Sequence, residues 1–141
     1  SSTTTTASTA SGSSLVSKGK TATSSSNENN FNYAGNAVDG NPSTRWASAA
    51  SDPQWLQVDL SKNYTITKVV LNWEAAYAAA YKIQISSNGS TWTDAANITN
   101  GAKGIREITI NNISGRYVRM YGTKRATRWG YSLYEFEIFG R

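Results

Sequence analysis

From Trp55 to the C-terminus the apolar residues recur at every second position, and this spacing constrains the fold more than any other feature of the chain. A period of two sends alternate side chains to opposite faces of an extended strand, whereas a helix needs a repeat near 3.6. In Trp55-Leu-Gln-Val-Asp-Leu60 the alternation places Leu56, Val58 and Leu60 on one face. Tyr64 to Trp73 is rich in β-branched and apolar residues, with Ile66, Val69, Leu71 and Trp73 as core candidates. Tyr81, Ile83 and Ile85 alternate with Lys82, Gln84 and Ser86; Ile108 and Ile110 flank Thr109; Val118 and Met120 share a face. Tyr134, Phe136 and Ile138 alternate with Glu135 and Glu137. Turn signals punctuate these runs at Ser61-Lys-Asn63, Asn88-Gly89, Asn111-Asn112 and Ser114-Gly115. Ala75 to Ala80 has helix-forming residues but is short and lies between strands. About eight short-spaced antiparallel strands predict an all-β fold, a β-sandwich of the jelly-roll type.

Trp46, Trp55 and Trp73 are expected in the core, since each sits in an apolar pattern, and Trp92 is expected to be structural. With five Trp and eight Tyr in 141 residues, one domain has enough apolar area for a core. Residues 1–14 are almost wholly Ser, Thr, Ala and Gly, a composition too polar to offset its ordering entropy; they predict a flexible linker joined to a module at 15–141.

The chain has no His and no Cys. That excludes a His-based triad, His-ligated zinc and disulfides. No apolar run is long enough for a helical membrane span, and no secretory leader is expected in the chain as given. The net charge of +5 is modest, and Lys124, Arg125 and Arg128 form the sole basic cluster, so neither nucleic acid nor a membrane is expected as partner.

Asn36 to Trp46, Asn-Ala-Val-Asp-Gly-Asn-Pro-Ser-Thr-Arg-Trp, is a tight loop with two consecutive turn signals. It offers the Asp39 carboxylate, the Asn41 amide, the Ser43 and Thr44 hydroxyls and turned-in carbonyls, which are hard oxygen ligands of the kind Ca2+ takes. The spacing is not that of an EF-hand, and a plain surface turn carrying a buried Trp fits the loop by itself.

This loop, together with Pro53-Gln-Trp-Leu-Gln-Val-Asp-Leu60, Tyr81-Lys-Ile-Gln-Ile-Ser86 and Trp129-Gly-Tyr-Ser-Leu-Tyr-Glu-Phe-Glu-Ile-Phe-Gly140, resembles the discoidin, or coagulation factor five/eight type C, domain. The chain looks most like the bacterial family 32 carbohydrate-binding modules. The resemblance implies a jelly-roll sandwich, a structural Ca2+ and sugar binding by loops at one end. Carried onto this chain, it implies Ca2+ ligation by Asn36, Asp39, Asn41 and Thr44 from the loop and by Tyr134 and Glu135 from the closing strand. It also implies a secreted, non-catalytic module that is monomeric and covalently linked to a catalytic domain.

Shallow sugar sites pair an aromatic ring, stacked on the pyranose C–H face, with polar groups for the hydroxyls. The loop candidates are Glu28, Arg45, Glu74, Tyr77, Lys124, Arg128, Trp129 and Tyr131. Phe31 and Tyr33 lie in the same loop as Glu28. Two carboxylates, Glu28 and Glu74, in binding loops of a charge-poor chain suit a cationic sugar, whose ammonium would donate charge-assisted hydrogen bonds to them. Chitosan-binding modules of the family look similar in the Asn27–Phe31 and Trp73–Tyr77 regions. The expected ligand is therefore a β-1,4-glucosamine oligosaccharide, with neutral β-glucan or galactose-type sugars as alternatives and a lipid surface, which some animal discoidin domains bind, as a lesser one. Methyl groups at Ala50 and Ala75–Ala80 predict a short site. A glycosidase carboxylate pair is disfavoured because shallow loops lack an enclosing cleft.

Overall fold

The computed structural model describes residues 13–141. Most of the expected linker therefore lies outside the described residues; of its last two positions, Ser13 bonds Thr67 through its hydroxyl and Ser14 pairs with Gly140, so the paired chain starts one residue before Leu15. Eight strands follow in order: β1 (Ser14–Leu15), β2 (Thr21–Ser24), β3 (Trp46–Ala47), β4 (Gln54–Trp73), β5 (Ala78–Ser86), β6 (Thr93–Ile98), β7 (Gly104–Arg125) and β8 (Ser132–Gly140). Among the described residues a single 3-10 turn spans Ala34–Ala37, and all strand pairings are antiparallel.

The expected all-β architecture is what forms, by a route the turn signals did not foretell. Ser61–Asn63 and Asn111–Gly115 were expected to end strands, yet β4 and β7 run through them. Ser61 (φ 77°) and Asn112 (φ 53°) adopt the left-handed conformation, so these polar residues kink the strands without breaking them. At the β4 kink, Asp59 pairs with Tyr117 and Tyr64 with Gly115, so residues 60–63 face Arg116 alone. Each long strand thereby passes from one layer to the other. Residues 54–59 of β4 pair with β2 and with the second half of β7, which continues to β5 and β6. Residues 64–73 pair with the first half of β7 and with β8, which carries β1 and β3.

The core lies between these layers. Leu56, Val58, Leu60, Ile66, Val69, Leu71, Ile83, Val118, Met120, Phe136 and Ile138 are buried, along with Trp46, Trp73 and Tyr81. Each such large apolar side chain contributes about 1.5–3 kcal/mol by leaving water. Trp55 corrects the sequence expectation: it is half-buried, not in the core. Once Leu56, Val58 and Leu60 point inward, period two sends Trp55 outward, opposite Tyr121. Trp92 is also half-buried, with the Arg119 guanidinium 4.0 Å over its ring. Between β4 and β8, Asn72 pairs with Glu135 and Trp73 with Leu133, leaving Tyr134 as an extra residue of β8. This bulge lets Leu133 share the core face with Phe136 and Ile138, while Glu135 faces the Asn36–Trp46 loop.

Candidate functional site

The ends of several strands meet at one edge of the sandwich. Trp73 closes β4 against Leu133, Ala78 opens β5 against Arg125 at the end of β7, and Ala47 of β3 faces Ser132 at the start of β8. The loops that leave these ends surround a cleft of about 460 Å3, lined by Glu28, Arg45, Ala47, Glu74, Ala75, Ala76, Thr127, Trp129, Gly130 and Ser132.

Ser132 is the hub of this cleft. Its N–H donates to the Ala76 carbonyl at 2.8 Å, and its carbonyl accepts from the Glu74 N–H at 3.1 Å, which fixes the 74–76 loop to β8. Its hydroxyl accepts from Arg45 Nη1 at 2.9 Å. Arg45 Nη2 also lies 3.7 Å from Glu28 Oε1, and Asn32 Nδ2 donates to that oxygen at 3.0 Å. Glu74 Oε1 accepts the Ala76 N–H at 2.9 Å, and no ion pair among the described residues engages it. With two carboxylates and one guanidinium, the cleft carries one net negative charge inside a chain of net charge +5. Trp129 is 55 % exposed on the rim, and Arg128 lies over its ring at 4.7 Å, which covers one of its two faces.

Four of the eight candidates from the sequence, Glu28, Arg45, Glu74 and Trp129, thus line one cleft. The other four do not. Lys124 is exposed on β7 beside Ala80, Arg128 covers Trp129, and Tyr77 is half-buried against the core with its carbonyl accepting the Ala126 N–H at 3.1 Å. Tyr131 is a correction: it has no exposed surface, so it offers no ring to a ligand. Its ring packs over Gly122, where a Cβ would come within 2.3 Å of it, and its hydroxyl donates to Asp52 at 2.5 Å. Burial, then this bond to Asp52, holds the phenol well above its ordinary pKa. The missing side chain of Gly130 makes room for the Ser48 carbonyl, which a Cβ would meet at 2.1 Å. Ser132, Ala47 and Asp52 were not foreseen. Nothing local marks them, since each acts through partners distant in the chain.

A second cluster joins the Asn36–Trp46 loop to β8. The Thr44 hydroxyl stands 2.6 Å from Asp39 Oδ2, 3.1 Å from the Asn41 carbonyl and 3.4 Å from the Asn36 carbonyl. One hydroxyl proton cannot satisfy three acceptors at once. Glu135 is 8 % exposed beside Asp39, and its Oε2 is buried without a partner. Burial first, then the neighbouring Asp39 carboxylate and the charge of Glu137, pushes its carboxyl up to about 8. The oxygens of Asn36, Asp39, Asn41 and Thr44 therefore converge, with Glu135 adjacent and Tyr134 at the neighbouring bulge. The surplus of acceptors over protons, all of them hard oxygens, fits a cation such as Ca2+.

A family model described as a NedA-like, galactose-binding domain of F5/F8 type C matches residues 36–120, more than half of the chain. The chain belongs to the F5/F8 type C family. Among solved structures, this F5/F8 type C domain is similar to chitosan-binding module 1 of a chitosanase/glucanase from Paenibacillus sp. IK-5. The two are 46 % identical, the match covers 90 % of this chain and 99 % of that one, and the TM-score is 0.87. It is similar as well to chitosan-binding module 2 of the same enzyme, solved in complex with chitotriose, at 45 % identity over 89 % of this chain and 99 % of that one, with a TM-score of 0.86. Among curated proteins it is 35 % identical, over 86 residues and 59 % of its length, to the polysaccharide lyase 8 family protein HylA of Enterococcus faecalis. The domain spans only 6 % of that relative's length.

Proposed function

We propose that this chain is a carbohydrate-binding module for β-1,4-glucosamine oligosaccharides, without catalytic action of its own. The observation that carries the reading is the net negative cleft, in which no cation among the described residues pairs with Glu74 and Trp129 stands exposed on the rim. A glucosamine ammonium would take up the unpaired charge of Glu74, and the open face of Trp129 would stack on the pyranose. Ala47, Ala75 and Ala76 floor the cleft with methyl groups, which suits a site for few sugar units. The similarity to two chitosan-binding modules supports the same ligand class.

The oxygen cluster at Asp39, Thr44 and Glu135 would hold a structural Ca2+, tying the first long loop to β8. In its parent protein the module would act as a secreted, bacterial, monomeric unit. It would keep a covalently linked glycoside hydrolase near its polysaccharide by raising effective concentration.

Calorimetry with glucosamine, laminari- and cello-oligosaccharides tests the proposal. Binding is expected for the glucosamine series alone, weakened about ten- to a hundredfold in Glu74→Gln, the range for a lost charged hydrogen bond. Equal binding to neutral glucans that is unaffected by Glu28→Gln and Glu74→Gln would overturn the glucosamine assignment in favour of a neutral β-glucan or galactose-type ligand.

A further inference from the structure

Phe31 is the most exposed large apolar side chain of the described residues, at 82 %. It is not on a loose loop. The Glu28 N–H donates to the Ala47 carbonyl at 2.7 Å, and the Ala47 N–H donates to the Asn32 carbonyl at 3.1 Å. Both ends of the 28–32 loop are therefore clamped to one residue of the cleft floor. Between the clamps, Asn29 Oδ1 accepts the N–H groups of Phe31 and Asn32 at 2.8 and 2.9 Å. Asn36 Nδ2 donates to the Phe31 carbonyl at 2.7 Å and to the Arg45 carbonyl at 3.0 Å, so one amide positions Phe31 together with a cleft-lining residue. The peptide groups on both sides of Phe31 are fixed while its ring stays in water.

A fixed backbone that holds an aromatic ring in solvent beside a sugar cleft has a physical use. An aromatic ring costs little conformational entropy to immobilise, and a pre-positioned loop lowers that cost further. Burying the ring against a pyranose face would recover the unfavourable exposure. Phe31 does not line the cleft itself, whose aromatic is Trp129. It stands outside, three residues from Glu28 in the same clamped loop.

Resting on the proposed carbohydrate reading, we infer that Phe31 is a second stacking platform, which engages sugar units extending out of the cleft past Glu28. The module then discriminates by ligand length: a dimer fills the cleft, and a longer oligomer also covers Phe31. Its ligand class is a β-linked glucosamine chain longer than the cleft holds.

The test is titration of wild type, Phe31→Ala and Phe31→Trp with the glucosamine dimer and hexamer. The wild type binds the hexamer more tightly than the dimer. Phe31→Ala lowers hexamer affinity about three- to tenfold and leaves the dimer unchanged, the size of one aromatic contact. Phe31→Trp retains the preference for length. Equal losses for dimer and hexamer, or none for either, would overturn the inference while leaving the carbohydrate reading standing. A wild type that binds neither oligomer would remove both. Phe31 contributes almost no buried surface, so an intact thermal transition is expected for both variants and separates binding from folding.

Discussion

The Tyr131 hydroxyl donates a 2.5 Å hydrogen bond to Asp52 Oδ1, and the same oxygen accepts the backbone N–H and Nε of Arg125, each at 3.2 Å. One carboxylate oxygen therefore fastens both ends of the loop that carries Thr127, Trp129 and Gly130 into the cleft. Tyr131 serves the site from underneath, as a buried anchor.

Tyr131→Phe removes this bond while keeping the ring that fills the space over Gly122. A loss of about 1.5–3 kcal/mol of stability is expected, as for a hydrogen bond to a charged group, and urea denaturation measures it. Sugar affinity should fall as well, because Trp129 is then less firmly placed. An unchanged midpoint together with unchanged affinity would show that Asp52 does not hold the loop.

Calcium is expected to raise the thermal transition. An ion that binds only the folded state adds about 2.7 kcal/mol at a hundredfold excess over its dissociation constant. Melting in the presence of CaCl2 should therefore exceed melting with a chelator, and Asp39→Ala should abolish the difference. Identical curves for the wild type would remove the proposed ion from the Asn36–Thr44 loop and Glu135.

Asp59 should contribute an acid-side loss of stability. Arg116 Nε and Nη2 donate to its two oxygens at 2.7 and 3.0 Å and, as the largest cause, hold its carboxyl below the ordinary 3.8. A depressed folded-state value means the unfolded chain binds the proton more readily. The contribution is present above about pH 4, the unfolded range, and is lost as pH falls through the folded-state value. Asp59→Asn should flatten this part of the stability profile below pH 4. A wild-type slope retained in the variant would assign the loss to other carboxylates, such as Asp94, whose value is lowered chiefly by the bond from Gln84.

The parts of the molecule that depend on neighbours in the chain were legible in its sequence. Period two predicted the inward faces of Leu56, Val58 and Leu60 and of Tyr81, Ile83 and Ile85, because a strand's facing follows from its own backbone geometry. The residue types of the Asn36–Trp46 loop likewise announced an oxygen-rich turn, and the absence of His and Cys excluded whole classes of chemistry. Glu28, Arg45, Glu74 and Trp129 were legible as candidates, since charged and aromatic side chains in loops are the groups a shallow sugar site uses.

Tertiary structure decided what depends on contact across the chain. Whether Ser61 and Asn112 end a strand or kink it is set by the partner strand, and pairing with β7 and β8 carries β4 straight through. Trp55 points outward because its neighbours already fill the core, although its own hydrophobicity argues for burial. Tyr131 is hidden because Gly122 leaves space for its ring, and Ser132 becomes the cleft's hub through residues far away in sequence. Glu135 keeps the outward facing that its alternation with Phe136 and Ile138 gives it, and it is buried because Asp39 and Gly40 of the Asn36–Trp46 loop lie against it. A residue's type and spacing fix what it can offer; burial and hydrogen bonding among distant segments fix what it faces, and those arise only when the two layers close on each other.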